Sequence, residues 1–88
     1  MSNWKIIFEN QARKQMLKLD YAIQKQITKA INEKLLLNPN YYLEQLTGEL
    51  SKYCKFRVGD YRLICEKKED KLIIVVIKVK HRKEVYKI

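Results

Sequence analysis

The sequence predicts an α+β domain in which an antiparallel pair of helices packs on a small, twisted, mostly antiparallel sheet. Three observations lead to this prediction. A short β-type run opens the chain, apolar residues recur at helical spacing over residues 23–35, and strand-like apolar runs separated by turns fill residues 53–79. The predicted order is therefore β-α-α-β-β-β, and 88 residues suffice for one domain, 1–88, with a single core.

The first half of the chain predicts one strand and two helices. Four of residues 4–8 are β-branched or aromatic, which is typical of a short strand. Asn10 is expected to cap a helix that runs to about residue 19, and Asp20 to cap a second helix that ends before Pro39. Because the link between them is short, the helices are expected to form an antiparallel hairpin on the sheet. The second helix carries an apolar stripe of Ile23, Ile27, Ala30, Ile31 and Leu35.

The second half predicts a loop followed by three strands. Residues 38–51 are expected to form the loop, anchored by Leu43, Leu46 and Leu50. A β-hairpin should follow, with its second strand running to about residue 66, and residues 67–71 form a charged turn. Residues 72–79 are almost continuously apolar, which predicts a central strand covered on both faces.

The hairpin has a definite register if Gly59 and Asp60 form a two-residue turn. This register pairs four residues of each strand: Val58 with Tyr61, Arg57 with Arg62, Phe56 with Leu63, and Cys54 with Cys65. Because side chains alternate between faces, one face is expected to be core and the other basic. The basic face would carry Tyr53, Lys55, Arg57 and Arg62. Like charges opposite each other are unfavourable, so such a cluster is typical of a site that binds an anion.

The charge of the chain favours a polyanionic partner. The net charge is +9 and the pI is near 9.6. Residues 46–88 carry 12 basic and 6 acidic side chains, against 7 and 4 in residues 1–45, so the positive field is strongest around the hairpin. Nucleic acid, an anionic membrane surface or an acidic protein would each fit this charge.

The two cysteines are too few for a disulfide-stapled secreted scaffold and lack the spacing of a metal-binding pair. The hairpin register makes Cys54 and Cys65 neighbours, so a bridge is conceivable. Reduced, buried thiols in a cytosolic protein are the favoured interpretation. The first ten residues contain no apolar run of the length of a signal peptide or a membrane span, so we expect a cytoplasmic protein. No metal and no cofactor are expected.

The order of elements and three segments together resemble the RelE/ParE toxin superfamily, the toxic halves of bacterial toxin–antitoxin pairs. The segments are Leu46-Thr47-Gly48, YCKFRVGDYRL at residues 53–63, and VKHRKEVY at residues 79–86. RelE-like members cut messenger RNA, commonly on the ribosome, whereas ParE-like members poison DNA gyrase. The resemblance implies a cognate antitoxin as partner, expected to be acidic and partly disordered, and no membrane.

The resemblance also implies a set of catalytic residues. Lys55 and Arg62 coincide with basic residues that the RelE branch uses around the scissile phosphate. Tyr86 falls where that branch has a functional tyrosine. His81 falls where some ribonuclease members have a histidine acid or base, and Glu44 where those members have a carboxylate. Each residue also has a plain structural interpretation, such as a solvated strand cation or a packing anchor.

Metal-free cleavage of RNA requires a base for the 2′-hydroxyl, cations for the phosphorane and an acid for the 5′-oxygen. Arg62 is the preferred phosphate clamp because a guanidinium matches two phosphoryl oxygens. By strict alternation, the His81 side chain lies on the opposite face of the strand from Lys78 and Lys80. It reaches the site only if the strand has ended or bulged at that point. The residues expected to bind the RNA backbone are Lys52, Arg57, Lys78, Lys80, Arg82 and Lys83.

Three functions therefore compete at the level of sequence. The leading hypothesis is an RNA endonuclease toxin of the RelE type that acts on messenger RNA, with the ribosome as a further partner. The second is a gyrase-directed toxin without nuclease chemistry. The third is a non-catalytic RNA- or ribosome-binding module, for which a net charge of +9 would suffice.

Overall fold

The computed structural model of the protein describes residues 3–83. Its sheet has five strands, namely β1 (Lys5–Phe8), β2 (Glu44–Gln45), β3 (Cys54–Val58), β4 (Tyr61–Lys68) and β5 (Ile73–His81). The strands lie in the order β1-β5-β4-β3-β2, with β1 parallel to β5 and the other neighbours antiparallel. The predicted α+β class and the mostly antiparallel sheet are therefore confirmed. The strand expected to be central, β5, is interior, while β4 is the middle strand.

Three α-helices accompany the sheet: α1 (Asn10–Leu17), α2 (Tyr21–Ala30) and α3 (Pro39–Tyr42). A π-helical turn, Ile31–Leu35, continues α2. The expectation that Asn10 caps α1 is wrong, because Glu9 occupies the N-cap position. The Asn10 side chain instead accepts a hydrogen bond of 2.6 Å from Arg13. Asp20 lies at the N-cap position of α2, as predicted.

The segment expected to be a loop contains more structure than its sequence indicates. It holds α3, the short strand β2 and one turn of 3₁₀ helix, Gly48–Leu50. Pro39 begins α3 because its missing N–H would have no helical partner there. The second strand of the hairpin runs to Lys68 rather than residue 66, so the charged turn begins two residues later than predicted.

The helices cover one face of the sheet. Ala12 of α1, Ile27 of α2, and Ile31 and Leu35 of the π-helical turn are all buried. Their sheet partners alternate along β3, along β4 and along β5 as far as Val76, as the pleat of a strand requires. These partners are Cys54, Phe56, Val58, Leu63, Cys65, Ile74, Val76 and Val79. The opposite face of β3, β4 and β5 therefore lies away from the helices.

The hairpin between β3 and β4 has the predicted register. All four predicted pairs are present, and Gly59 adopts a φ of +56°, a conformation that costs glycine little. Val58, Phe56 and Leu63 are buried against the helices, and Arg57 and Arg62 lie on the other face. Cys54 and Cys65 are cross-strand neighbours, and both are buried, unbridged thiols.

The ladder between β4 and β5 contains one bulge. Ile64 pairs with Lys78 and Cys65 pairs with Val76, so Ile77 has no partner on β4. The bulge lets Val76 and Val79, three residues apart, both face the core, which strict alternation forbids. The residues that follow the bulge are shifted by one position, and this shift decides where the lysines of β5 lie.

Candidate functional site

Cations from three strands meet on the sheet face that lies away from the helices, which we call the basic face. Arg57 of β3 pairs with Arg62 of β4, and Arg62 pairs in turn with Lys80 of β5. Side chains of directly opposite residues share one face, with Cβ atoms roughly 4.5–5.5 Å apart. The three positive groups therefore form one row across the sheet, and their mutual repulsion is relieved most simply by a bound anion.

A second row runs parallel to the first. Lys55 of β3 pairs with Glu44 of β2 on one side and with Ile64 of β4 on the other. Ile64 pairs in turn with Lys78 of β5. The Nζ atom of Lys55 lies 3.7 Å from Oε1 of Glu44, an ion pair at the edge of the face. Ile64 is fully buried, although it belongs to this face. The two rows bring Glu44 and five cations together.

The bulge at Ile77 is what brings the lysines of β5 to this face. Without it, alternation from Ile74 and Val76 would direct Lys78 and Lys80 toward the helices. With it, Lys78 and Lys80 pair with the basic-face residues of β4. Bulges of this kind commonly re-aim side chains next to functional sites.

Arg62 has an unsatisfied donor. Its Nη1 atom is buried, and within residues 3–83 it has no hydrogen-bond partner. A buried donor without a partner costs about 1–3 kcal/mol, and more when the group is charged. Lys80, its neighbour in the row, is only 8% exposed. Two cations are therefore held partly out of water, and an anion could satisfy the Nη1 donor of Arg62.

His81 does not lie with this cluster. The bulge precedes Lys78, so alternation is regular from Lys78 onward and His81 pairs with Tyr61 on the opposite face. The rings of Tyr61 and His81 meet edge to face with centroids 5.2 Å apart. Nδ1 of His81 accepts a hydrogen bond of 3.2 Å from the backbone N–H of Lys83. β5 bulges before Lys78 and ends at His81, yet neither feature brings the ring to the basic face, because His81 still pairs with Tyr61.

The remaining sequence-predicted residues lie around the hairpin turn, in the loop before β3, or further along the chain. The Nε atom of Arg82 is 3.4 Å from Oδ1 of Asp60, and its backbone N–H donates to the Asp60 carbonyl oxygen at 2.7 Å. Lys83 follows as an exposed residue. Lys52 precedes β3, with its Nζ atom 5.1 Å from the centre of the Tyr53 ring. Tyr86 lies outside the described residues.

Two adjoining cavities flank β3. One, of about 550 Å³, opens beside the Lys55–Glu44 pair and is lined in part by Tyr41 and Tyr42. The Tyr42 ring packs edge to face on Phe56 at 6.2 Å between centroids. Tyr41 is exposed, so packing explains Tyr42 better than Tyr41. The first cavity therefore extends the basic face past the sheet.

The second cavity, of about 440 Å³, lies on the helix side of β3. Its lining includes Lys29 and Lys34, which sequence reasoning did not connect with the site. A helical pattern does reveal that they are exposed, but not that the π-helical turn and the hairpin meet beside them. The sequence also does not show that Asp60 contacts Arg82, because that contact depends on the register of β5.

Burial raises the pKa of the Cys54 thiol, and it raises the pKa of the Cys65 thiol further, with the neighbouring Cys54 adding to the effect. Neither thiol is therefore a ready nucleophile near neutral pH. In the part of the chain that the structure describes, no group of three or more His, Cys, Asp and Glu side chains could hold a metal ion. No helix among residues 3–83 has the length and apolarity needed to cross a bilayer.

Comparison with known proteins gives a consistent family. Residues 6–86 match the family described as ParE toxin of type II toxin-antitoxin system, parDE. A chain of the RelBE2 toxin–antitoxin complex from Mycobacterium tuberculosis is 25% identical, with a TM-score of 0.85 over 96% of this chain and 97% of that one. The isolated E. coli RelE toxin is 24% identical, with a TM-score of 0.76 over 93% and 87% of the two chains.

A third similar structure is archaeal. A chain of the RelE–RelB complex from Pyrococcus horikoshii is 19% identical, with a TM-score of 0.68 over 97% of this chain and 100% of that one. At this identity the likeness shows the fold alone. No curated protein sequence matches the chain significantly.

Proposed function

This chain belongs to the ParE toxin family of type II toxin–antitoxin systems, within the RelE/ParE superfamily, and we propose that it cleaves messenger RNA as a metal-independent endoribonuclease. The observation that carries the proposal is the buried, unpartnered Nη1 of Arg62 among residues 3–83. It lies between Arg57 and Lys80 in one cross-strand row. A row of fixed donors is what a phosphorane needs, because donors that are already oriented cost no reorganisation during the reaction.

The Arg62 row would hold the phosphate that is cleaved. Lys55 lies diagonally across the ladder from Arg62, and such neighbours are roughly 7–8 Å apart. That separation leaves room for a phosphodiester between the two side chains. The guanidinium would bind two phosphoryl oxygens, and Lys80 would neutralise the charge that develops on them.

The Glu44–Lys55 pair would move the protons. The Glu44 carboxylate takes the proton of the 2′-hydroxyl, and the 2′-oxygen forms a bond to phosphorus while the bond to the 5′-oxygen breaks. The Lys55 ammonium donates a proton to the departing 5′-oxygen. With 3.7 Å between Nζ and Oε1, Glu44 can then return its proton to Lys55, which restores the site. The products are a 2′,3′-cyclic phosphate and a 5′-hydroxyl.

The remaining basic residues would bind the RNA backbone around the site. Lys78 and Arg57 extend the face on either side of Ile64 and Arg62. Contacts of this type give affinity rather than sequence choice. The ribosome would then select the substrate by presenting messenger RNA in an extended form. We propose a cytoplasmic location for the same reason.

An antitoxin is the expected protein partner. The M. tuberculosis RelBE2 and P. horikoshii RelE–RelB structures are toxin–antitoxin complexes, and a double mutant of E. coli RelE was also solved with an antitoxin peptide. An acidic, partly disordered antitoxin would complement the +9 charge of this chain and cover the basic face. Association should then slow as the salt concentration rises.

A gyrase-directed toxin is the second candidate, and the ParE description of the matching family is the observation that favours it. Poisoning of gyrase needs a protein surface rather than a phosphate-cleaving site. It gives no role to the Arg62 donor or to the Glu44–Lys55 pair. The two candidates therefore differ in what the basic face is for.

One experiment separates the candidates. The protein is expressed without an antitoxin, and the 5′ and 3′ ends of cellular messenger RNA are mapped alongside gyrase–DNA breaks. We expect new cuts that leave 5′-hydroxyl and cyclic phosphate ends, with no increase in DNA breaks. Intact messenger RNA together with accumulating gyrase–DNA breaks would replace the nuclease by the gyrase-directed toxin.

A further inference from the structure

The helix-side cavity is positively charged, and Arg57 is its one lining cation that the proposed function already uses. Two lysines, Lys29 of α2 and Lys34 of the π-helical turn, line it together with Arg57, against one carboxylate, Glu33. Within residues 3–83 neither lysine takes part in an ion pair. Three cations and one anion around a concavity of about 440 Å³ favour an anionic occupant.

This cavity adjoins the candidate site. Both cavities are lined by Tyr42, Phe56 and Arg57, so they meet at the outer edge of β3. Within the described residues β2 pairs with only two residues of β3, Cys54 and Lys55. The edge of β3 beyond Lys55 is therefore left uncovered by β2, and a chain bound on the basic face can pass over it.

The lining of this cavity suits a nucleotide better than a carboxylate side chain. The Tyr42 ring packs edge to face with Tyr41, at 4.9 Å between centroids, and with Phe56, at 6.2 Å. A fixed aromatic ring offers a base a contact that an acidic side chain cannot use. Gln26 adds an amide at the rim, near the backbone of Gly59. Grooves that bind single-stranded nucleic acid typically combine cations with aromatic rings on which bases stack.

We infer that the helix-side cavity binds one nucleotide of single-stranded RNA that flanks the cleaved phosphate, with Lys29 and Lys34 on its phosphate and Tyr42 against its base. This inference rests on the proposed ribonuclease function, since it supplies the neighbouring nucleotide. It makes the substrate an extended strand that bends around the edge of β3. The minimum substrate is then longer than the two nucleotides that share the cleaved bond.

The test measures binding separately from cleavage. Oligonucleotides of two, three, four and six residues, methylated at every 2′-oxygen, cannot be cleaved by 2′-hydroxyl attack. Their affinities for the full chain are measured by fluorescence anisotropy at several salt concentrations. We expect a step of at least tenfold in affinity when the nucleotide that fills the cavity is added, on either the 5′ or the 3′ side.

Two charge-matched variants locate the step. Lys29→Gln/Lys34→Gln removes the cavity lysines, and Lys14→Gln/Lys18→Gln removes two exposed lysines of the α1 region outside both cavities. Only the cavity variant should lose the affinity step, and its salt slope should fall by about 0.7, the value for one phosphate on a single strand. Because all four side chains are exposed, thermal melts should show both variants folded like the parent.

Equal losses of affinity in the two variants would mean that the lysines act by long-range attraction, and would contradict a nucleotide site in the cavity. So would an affinity that does not change with length, or hexaglutamate binding that only the cavity variant weakens, which would mark an acidic protein as the occupant. Cleavage of unmodified RNA is measured in parallel. If the parent protein shows the affinity step but does not cleave RNA, the proposed ribonuclease function is contradicted, while nucleotide binding in the cavity is supported.

Discussion

The two faces of the β3–β4 hairpin differ in chemistry, although alternate residues of the same strands form them. One face is apolar and buried, and the other is cationic. Leu63 is fully buried and belongs to the hydrophobic core cluster. Arg62, one residue earlier, faces Arg57 and Lys80 and keeps a buried donor without a partner among residues 3–83. The core face stabilises the fold through apolar burial, whereas the basic face carries a buried donor that costs free energy while it has no partner.

In this small domain, one sheet therefore serves both stability and the proposed function, each on its own face. An arrangement that is locally unfavourable persists when its ligand, rather than its neighbours, satisfies it. Substitutions on the core face should therefore reduce stability and leave the chemistry intact in the folded molecules. Substitutions on the basic face should reduce cleavage and leave stability unchanged or higher.

Glu44→Gln should have the largest effect, because it removes the proposed base. General-base catalysis contributes about 10²–10⁴ in rate, and the amide of glutamine cannot accept the proton. The ion pair with Lys55 is exposed on the Glu44 side, so its loss should change stability by less than about 1 kcal/mol. Single-turnover cleavage and thermal melts measure the two quantities. Parent-like cleavage by Glu44→Gln would assign the base to another group.

Leu63→Ala should lower the free energy of unfolding by about 2–5 kcal/mol through the lost apolar contacts and the cavity that remains. Urea unfolding followed by circular dichroism measures this. At a temperature where the variant is still folded, its cleavage rate per folded molecule should match that of the parent. A folded Leu63→Ala protein that is inactive would show that the two faces are coupled.

Arg62→Ala should lower the cleavage rate on the order of 10²–10³, or about 3–4 kcal/mol, as expected for a lost transition-state donor. Its melting temperature should stay the same or rise, because the substitution removes a buried donor that lacked a partner among the described residues. Arg62→Lys is the matched control. It keeps the charge but not the fork, so it should restore only part of the rate.

The turn and the register of the hairpin could be predicted from the sequence, although β4 runs two residues further than expected. Its turn residues fix the register, and the register fixes the face of each side chain, so Arg62 and Leu63 were assigned to opposite faces correctly. Strand pairs joined by two residues leave little freedom, since a one-residue slip would bury the arginines. The sequence also predicts the first two helices and the final strand, with boundaries off by a few residues, but not α3.

The bulge in β5 could not be predicted, and much of the site depends on it. Nothing in residues 72–79 shows which apolar residue will be left without a partner, because the choice depends on the match between β4 and the helices. The bulge brings Lys78 and Lys80 to the basic face and directs His81 to the other face. For a similar reason the cavity beside Lys29 was invisible in the sequence, since helix and hairpin meet there only after folding.

Lys78→Gln should have a smaller effect than the changes at Glu44 and Arg62. Lys78 lies in the second row of the basic face, beyond Ile64 from Lys55, so it is proposed to bind backbone rather than the cleaved phosphate. RNA affinity should fall a few-fold for all sequences alike, and the salt slope should decrease by about 0.7. The rate at saturating RNA should stay near that of the parent. A sequence-dependent loss would show that Lys78 contacts bases.

His81 provides the smallest expected effect and a strict test of the boundary between the faces. Its ring contacts Tyr61 on the helix side, and its Nδ1 accepts from the N–H of Lys83. His81→Phe keeps the ring and removes the acceptor, while His81→Ala removes both. An aromatic pair contributes about 0.5–1.5 kcal/mol, so His81→Ala should be the less stable of the two.

Both His81 variants should cleave within about threefold of the parent rate, because the proton transfers proposed for Glu44 and Lys55 take place on the other side of the sheet. The rate is measured on folded protein, below the melting transition of each variant. A pair of folded variants with cleavage reduced a hundredfold would mean that the ring reaches the phosphate after all. In that case the strand would have to rearrange at His81 when RNA binds, and the basic face alone would not define the site.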